Sequence, residues 1–271
     1  MKIKIGLYPY LLWIAFFVIV PITMVLLFAF SSSSGVFTLE NVVYAAKYSA
    51  VFVRSIILGL ISTVVCLILG YPMAYCISKA RAKYQNVFIM LLMVPMWTSF
   101  LLRTYAWMTI LEYNGLLNKF FVFLGFNRVN MINTPGAIVL GMVYNFLPYM
   151  ILPIYTVIEK IDKKIIEAAQ DLGANRLKVF NKIIFPLSIP GVISGVTMVF
   201  VPSVSTFVIS KMLGGGSILV IGDLIEMQFL GNSYNPHLGS AISLVLMVII
   251  FLCMAIMNKL ESGSDKETII M

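Results

Sequence analysis

Charge is scarce in this sequence: 11% of its 271 residues are Asp, Glu, Lys or Arg, where soluble domains carry about 25%. That excludes an ordinary solvated surface. Histidine is scarcer still. His237, beside Pro236, is the single copy, and no metal-ligating partner stands at ligand spacing, so it reads as a structural or interfacial residue. Cys66, Cys76 and Cys253 lie in apolar stretches, and an odd number without paired spacing implies neither a disulfide framework nor a metal site. No G-x-x-x-x-G-K-[ST] phosphate loop occurs. Leu213-Gly214-Gly215-Gly216-Ser217 is glycine-rich but lacks that spacing and the lysine, and a turn is expected there. No Ser/His/Asp or Cys/His set looks catalytic, so the chain is expected to be neither an enzyme nor the holder of a metal or cofactor.

What is plentiful is apolar sequence, 61% of the chain. A helix that crosses a bilayer needs about 20 mostly apolar residues. Six such runs are legible, at about 7–30, 55–78, 86–110, 135–157, 189–210 and 238–258. The expected fold is an all-α membrane protein of about six transmembrane helices, forming one domain over residues 1–271. The first run is too long for a signal-peptide core of about 7–15 residues, so it is read as an uncleaved first helix. Pro and Gly inside the runs are tolerable because neighbouring helices re-satisfy the backbone. Gly191 and Gly195 form a GxxxG pair that permits close helix approach.

The formal net charge of +8 would raise nucleic-acid binding in a soluble protein; here its placement matters more. Thirteen Lys and Arg fall at the two termini, at 79–83 and across 159–188, against six (Lys47, Arg54, Arg103, Lys119, Arg128, Lys211) in the alternate segments. Cytoplasmic loops carry the Lys/Arg excess. Both termini and the 159–188 segment are therefore expected in the cytoplasm, and no nucleic-acid partner is expected.

The stretch from Ile158 to Pro190 is the most informative. Ile161, Ile165, Ala168 or Ala169, and Leu172 recur at helical spacing, with Asp162 as N-cap and Gly173 as a left-handed C-terminal cap. A second helix is expected from about Asn175, with Leu177, Phe180 and Ile184 on one face, ended by Pro186 and Pro190. The unit has apolar faces but is too polar for the bilayer, which suits docking to another protein.

Glu167-Ala168-Ala169, then Gly173, Ile183 and Phe185-Pro186, resembles the coupling (EAA) loop of bacterial ABC importer permeases, pattern E-A-A-x3-G-x9-I-x-L-P, with Phe185 in place of Leu. Pro95 to Trp107, Asn114 to Asn118, Leu213-Gly214-Gly215 and Ile221-Gly222 are similar to the spermidine/putrescine branch. The resemblance implies a bacterial inner-membrane permease for polyamines, worked by alternating access. It implies a coupling helix at about 158–190 seated in a cytoplasmic ATPase dimer that binds the ATP and Mg. It also implies a second, homologous permease and an extracytoplasmic substrate-binding protein. Related branches carry iron, thiamine, sulfate or sugars on the same scaffold, and a secondary transporter without an ATPase is the other class of alternative.

Acidic residues number eleven, and Asp223 and Glu226 stand out in an otherwise apolar stretch. Their i, i+3 spacing places them on one helix face. That face suits a polyamine's spaced ammonium groups, or it is the polar side of an outer helix, or it pairs with Arg103 or Lys211. Trp97, Tyr105 and Trp107 around Arg103 suit cation–π contact with an alkylammonium, and equally an interfacial belt. Tyr144, Asn145 and Tyr149 are further candidates for the path.

Overall fold

The computed structural model describes residues 3–32, 35–231 and 233–268, with side chains over 9–32, 35–231 and 233–259. Lys2 and Met271, and the side chains of Lys4 and Lys266, lie outside the described residues. The chain runs through α1 (Pro9–Ala29), α2 (Glu40–Lys79), α3 (Ala82–Trp97), α4 (Phe100–Leu111) and a short α5 (Leu116–Phe123). It continues through α6 (Pro135–Glu159), α7 (Lys163–Asp171) and α8 (Arg176–Ser205). Two short helices, α9 (Val208–Leu213) and α10 (Ile221–Leu230), precede α11 (Pro236–Lys259). Beyond these helices, the described residues pair in one isolated bridge, Ser31 with Phe37.

Among the described residues, five helices, α1, α2, α6, α8 and α11, are long and apolar enough to cross a membrane. The third expected span is not a single rod: α3 and the stretch holding α4 and α5 are bent by 89°. Counted as one broken span, they make the total six. The break has a local cause. Thr98 takes extended backbone after α3, and both its N–H (3.2 Å) and its Oγ1 (2.7 Å) donate to the Pro95 carbonyl. A threonine that offers the backbone this alternative closes the helix.

Two further boundaries differ from the hydropathy runs. α2 begins at Glu40, well before residue 55, because Glu40, Lys47 and Arg54 dilute an otherwise helical segment. The expectation that Pro186 and Pro190 end a helix is also corrected, since α8 runs unbroken from Arg176 to Ser205. A π-helical turn, Phe180–Ile184, directly precedes Pro186 and widens the backbone where the ring and the missing N–H would otherwise break the ladder. The same device, Ala15–Ile19, precedes Pro21 in α1.

The core is where α2, α6 and α8 meet, built on Cys66, Ile138, Met142, Met150, Ile151, Ile154 and Val199. The GxxxG pair is used as its spacing suggests. A Cβ on Gly191 would stand 2.9 Å from the Pro153 carbonyl oxygen, and one on Gly195 3.1 Å from that of Met150. A second cluster joins α2, α8, α10 and α11 through Phe52, Phe200, Ile221, Leu238 and Ile242. α1 rests on α11, with Trp13, Phe16 and Phe17 exposed.

Candidate functional site

Chemistry concentrates at the two ends of the bundle. At the Lys/Arg-rich end, α6 closes at Glu159 and Asp162 starts α7, its carboxylate accepting the Lys164 N–H at 3.0 Å. α7 stops at a double-bonded left-handed cap. The Gly173 N–H reaches the Gln170 carbonyl (2.9 Å), the Ala174 N–H reaches that of Ala169 (3.0 Å), and Gly173 sits at φ +84°. Asn175 then caps α8, its Oδ1 accepting the Lys178 N–H at 2.8 Å. Each cap satisfies backbone groups that a helix end leaves open, so a short polar helix holds a fixed angle at the tip.

The apolar positions of this unit divide between two partners. Ile161, Ile166, Ala169, Ala174, Phe180 and Ile183 pack against the chain's own core. Ile165, Leu172 (89% exposed) and Leu177 (71% exposed) face outward, leaving the tip apolar and uncovered. Ala168 faces out and Ala169 in, which resolves the alternative left open by spacing alone. Phe185 lies 5.8 Å from the Tyr71 ring, and Phe180 lies 5.2 Å from Tyr75, so an aromatic cluster takes up the ring where the pattern has leucine. Glu167 lines a cleft of about 550 Å³ together with Lys79, Arg81, Glu159 and Lys163. That cleft is absent from the linear motif. Its nearest sequence signal is Gln85, whose Nε2 ties the turn after α2 by donating to the Ser78 (3.0 Å) and Ala80 (3.1 Å) carbonyls.

At the opposite end the two singled-out carboxylates have partners. Asp223 is 7% exposed. Its Oδ1 accepts the Ser210 hydroxyl at 2.9 Å and its Oδ2 the Val220 N–H at 3.1 Å, which caps α10 and ties it to α9. Burial pushes its carboxyl above the usual range, while the bonds from Val220 and Ser210 pull it back. Glu226 pairs with Lys211 at 2.9 Å, not with Arg103. Ser55 Oγ accepts the Ile221 N–H at 2.8 Å, docking α10 on α2.

The three aromatics of the third span separate. Trp97 is 74% exposed before the bend, Tyr105 is 54% exposed on α4, and Trp107 is half-buried against Tyr144 with ring centres 5.4 Å apart. His237 Nδ1 lies 3.2 Å from both the Phe28 carbonyl oxygen and Ser31 Oγ, pinning the end of α1 to α11. Among the described residues no group of three or more His, Cys, Asp and Glu is placed to hold a metal.

Residues 66–264 match the family model described as "binding-protein-dependent transport system inner membrane component". The chain is 37% identical over 250 residues to the "spermidine/putrescine transport system permease protein PotB" of Haemophilus influenzae, covering 89% of this chain and 87% of the relative. The Escherichia coli protein of the same name is 37% identical over 254 residues, covering 90% and 92%. Among solved structures, a bacterial ABC transporter involved in the import of the acidic polysaccharide alginate superimposes with a TM-score of 0.79 over 97% of this chain and 95% of that one, at 18% identity.

Proposed function

The chain belongs to the family of binding-protein-dependent transport system inner membrane components, and we propose that it is the membrane permease subunit of an ATP-driven importer of polyamines such as spermidine and putrescine. The observation that carries the cargo assignment is 37% identity over nine-tenths of the chain to the spermidine/putrescine permeases. The geometry supports the coupling role. A rigidly capped helix with Ile165, Leu172 and Leu177 uncovered is what a chain without a nucleotide loop requires to receive work from another protein. Glu167, Ala168, Ala169, Gly173, Ile183 and Pro186 form this coupling unit, seated in an ATPase dimer that binds ATP and Mg. A second, homologous permease completes the path, and an extracytoplasmic binding protein delivers the cargo. Both termini and α7 face the cytoplasm, by the charge asymmetry.

On this proposal, Glu226 is the carboxylate that a passing ammonium group contests, since its partner Lys211 is 59% exposed. Asp223 holds the helix that carries Glu226, and Trp97, Tyr105 and Trp107 offer ring faces along the path. Binding and hydrolysis of ATP move α7 against the bundle, and the spans rock between inward-open and outward-open states. The test is uptake of labelled spermidine and putrescine by cells with and without the gene, with and without ATP depletion. Uptake that needs both the gene and ATP is expected. Equal uptake in the deletion strain, with the chain shown present in the parent membrane, removes the polyamine assignment.

A further inference from the structure

We infer that Asn145 is a substrate-contacting acceptor in the transport path, where its side-chain carbonyl oxygen takes an N–H of a cationic alkylamine; the inference rests on the polyamine assignment above. Asn145 is the eleventh residue of α6, about 15 Å along the helix from Pro135, and so close to the centre of a hydrocarbon core about 30 Å thick. It is 2% exposed. Its Nδ2 donates to the Gly141 carbonyl at 2.9 Å. A carbonyl oxygen only accepts, so the nitrogen must face Gly141 and the orientation of the amide is fixed. Its Oδ1 is buried and meets no donor among the described residues. No donor within this packing reaches Oδ1, so a water or a cargo N–H completes it.

The surroundings suit an alkylammonium. Tyr144, 38% exposed, meets the Trp107 ring, and Tyr149, one turn along α6, is 40% exposed. Open aromatic faces attract ammonium groups. Trp107 is carried by α4, which joins α3 through the extended residues Thr98 and Ser99 at the 89° bend. Such a break is where a hinge absorbs backbone rotation. Gly141, one turn before Asn145 on the same face of α6, packs against Ile209 and Leu213 of α9, and α9 in turn meets α4, so a rearrangement of α4 and α9 at this bend opens the Asn145 face. One rival donor exists on the same helix. Arg103, a turn before Trp107, has a buried Nε with no acceptor among the described residues, and its guanidinium carbon lies 5.9 Å from the Phe100 ring centre.

The experiment compares Asn145→Leu, Asn145→Asp, Arg103→Gln and the Asn145→Leu/Arg103→Gln double variant in cells that carry the whole importer, reading uptake of labelled spermidine below half-saturation, normalised to the amount of chain in the membrane. Leu removes the acceptor, and about a tenfold loss is expected, the scale of one hydrogen bond to a charged donor. Asp keeps an acceptor and adds charge, so its uptake stays well above that of Leu. A purely structural role through Nδ2 predicts the reverse order, because an Asp oxygen facing the Gly141 carbonyl is worse than Leu. Uptake in Asn145→Asp at or below that of Asn145→Leu, or wild-type uptake in Asn145→Leu, overturns the inference. So does an Arg103→Gln loss equal to that of Asn145→Leu and not additive with it, which identifies Arg103 as the donor. Absence of gene-dependent spermidine uptake in the unmutated strain removes the cargo assignment itself, and is seen before any variant is made.

Discussion

Gly173 is where a single substitution separates backbone conformation from contact. It stands at φ +84°, and a Cβ added there meets no atom within 4 Å in this chain. The cost of Gly173→Ala is therefore conformational strain alone, about 1–2 kcal/mol for a left-handed L-residue. Asn tolerates that region better, so Gly173→Asn costs less. Gly173→Asp adds a negative charge at a helix C-terminus, unfavourable by about 0.3–1 kcal/mol. The strain falls on a local cap. α7 has nine residues, too few to be stable unless its ends and packing hold it. A penalty of one to two kcal/mol lowers the population of the docked geometry by about 5–30-fold. The expected order of uptake is Gly, then Asn, with Ala and Asp below both, and the amount of chain in the membrane unchanged. ATPase activity of the reconstituted complex is measured in parallel, and transport per ATP is expected to fall in the same order. Wild-type uptake in Gly173→Ala refutes the left-handed-cap argument. Asn as poor as Asp refutes it differently, by showing that a partner's close approach, not backbone conformation, requires glycine.

Four further outcomes are expected. Asp223→Asn retains near-normal uptake, because an amide can accept from Val220 and donate to Ser210, whereas Asp223→Leu leaves both unpaired and loses folded protein; failure of Asp223→Asn with normal membrane levels shows that the charge itself is needed. Since folding raises the Asp223 carboxyl, the native state binds its proton more tightly, and the burial penalty present at neutral pH is relieved as pH falls through the raised value; thermal melts of the purified complex are expected to shift in favour of wild type over Asp223→Asn on acidification, and a shift the other way contradicts the burial argument. Glu226→Gln lowers polyamine uptake while Lys211→Met does not, because a pair whose lysine is 59% exposed is worth only about 0–1 kcal/mol to stability and the carboxylate is what the cargo uses; equal losses in both variants make the pair structural. A reporter fused after Met271 is active in the cytoplasm, and activity confined to the far side of the membrane inverts the proposed orientation.

The parts legible in the sequence were those governed by local chemistry. Asp162, Gly173 and Asn175 each act on backbone groups two to four residues away, so spacing alone located both ends of α7 and the start of α8. The GxxxG pair was legible for a related reason, since two small residues a turn apart leave a groove whatever fills it, here the backbone of Pro153 and Met150. Features decided by distant partners were not legible. The i, i+3 spacing of Asp223 and Glu226 described a shared face, yet Ser210 and Lys211, thirteen and fifteen residues earlier, each claim one of them. Hydropathy sees neither the hydroxyl of Thr98 folding back on Pro95 nor the π-helical turn that carries α8 through Pro186, because both change backbone geometry without changing how apolar the run is. Asn145 belongs to this second kind. Its type and position could be read, but only the packing leaves one half of its amide bonded and the other half without a donor. Leu would fit that core position at no polar cost but would offer neither the Gly141 bond nor the open oxygen, and it is the open oxygen at mid-span that the proposed contact with a passing N–H uses.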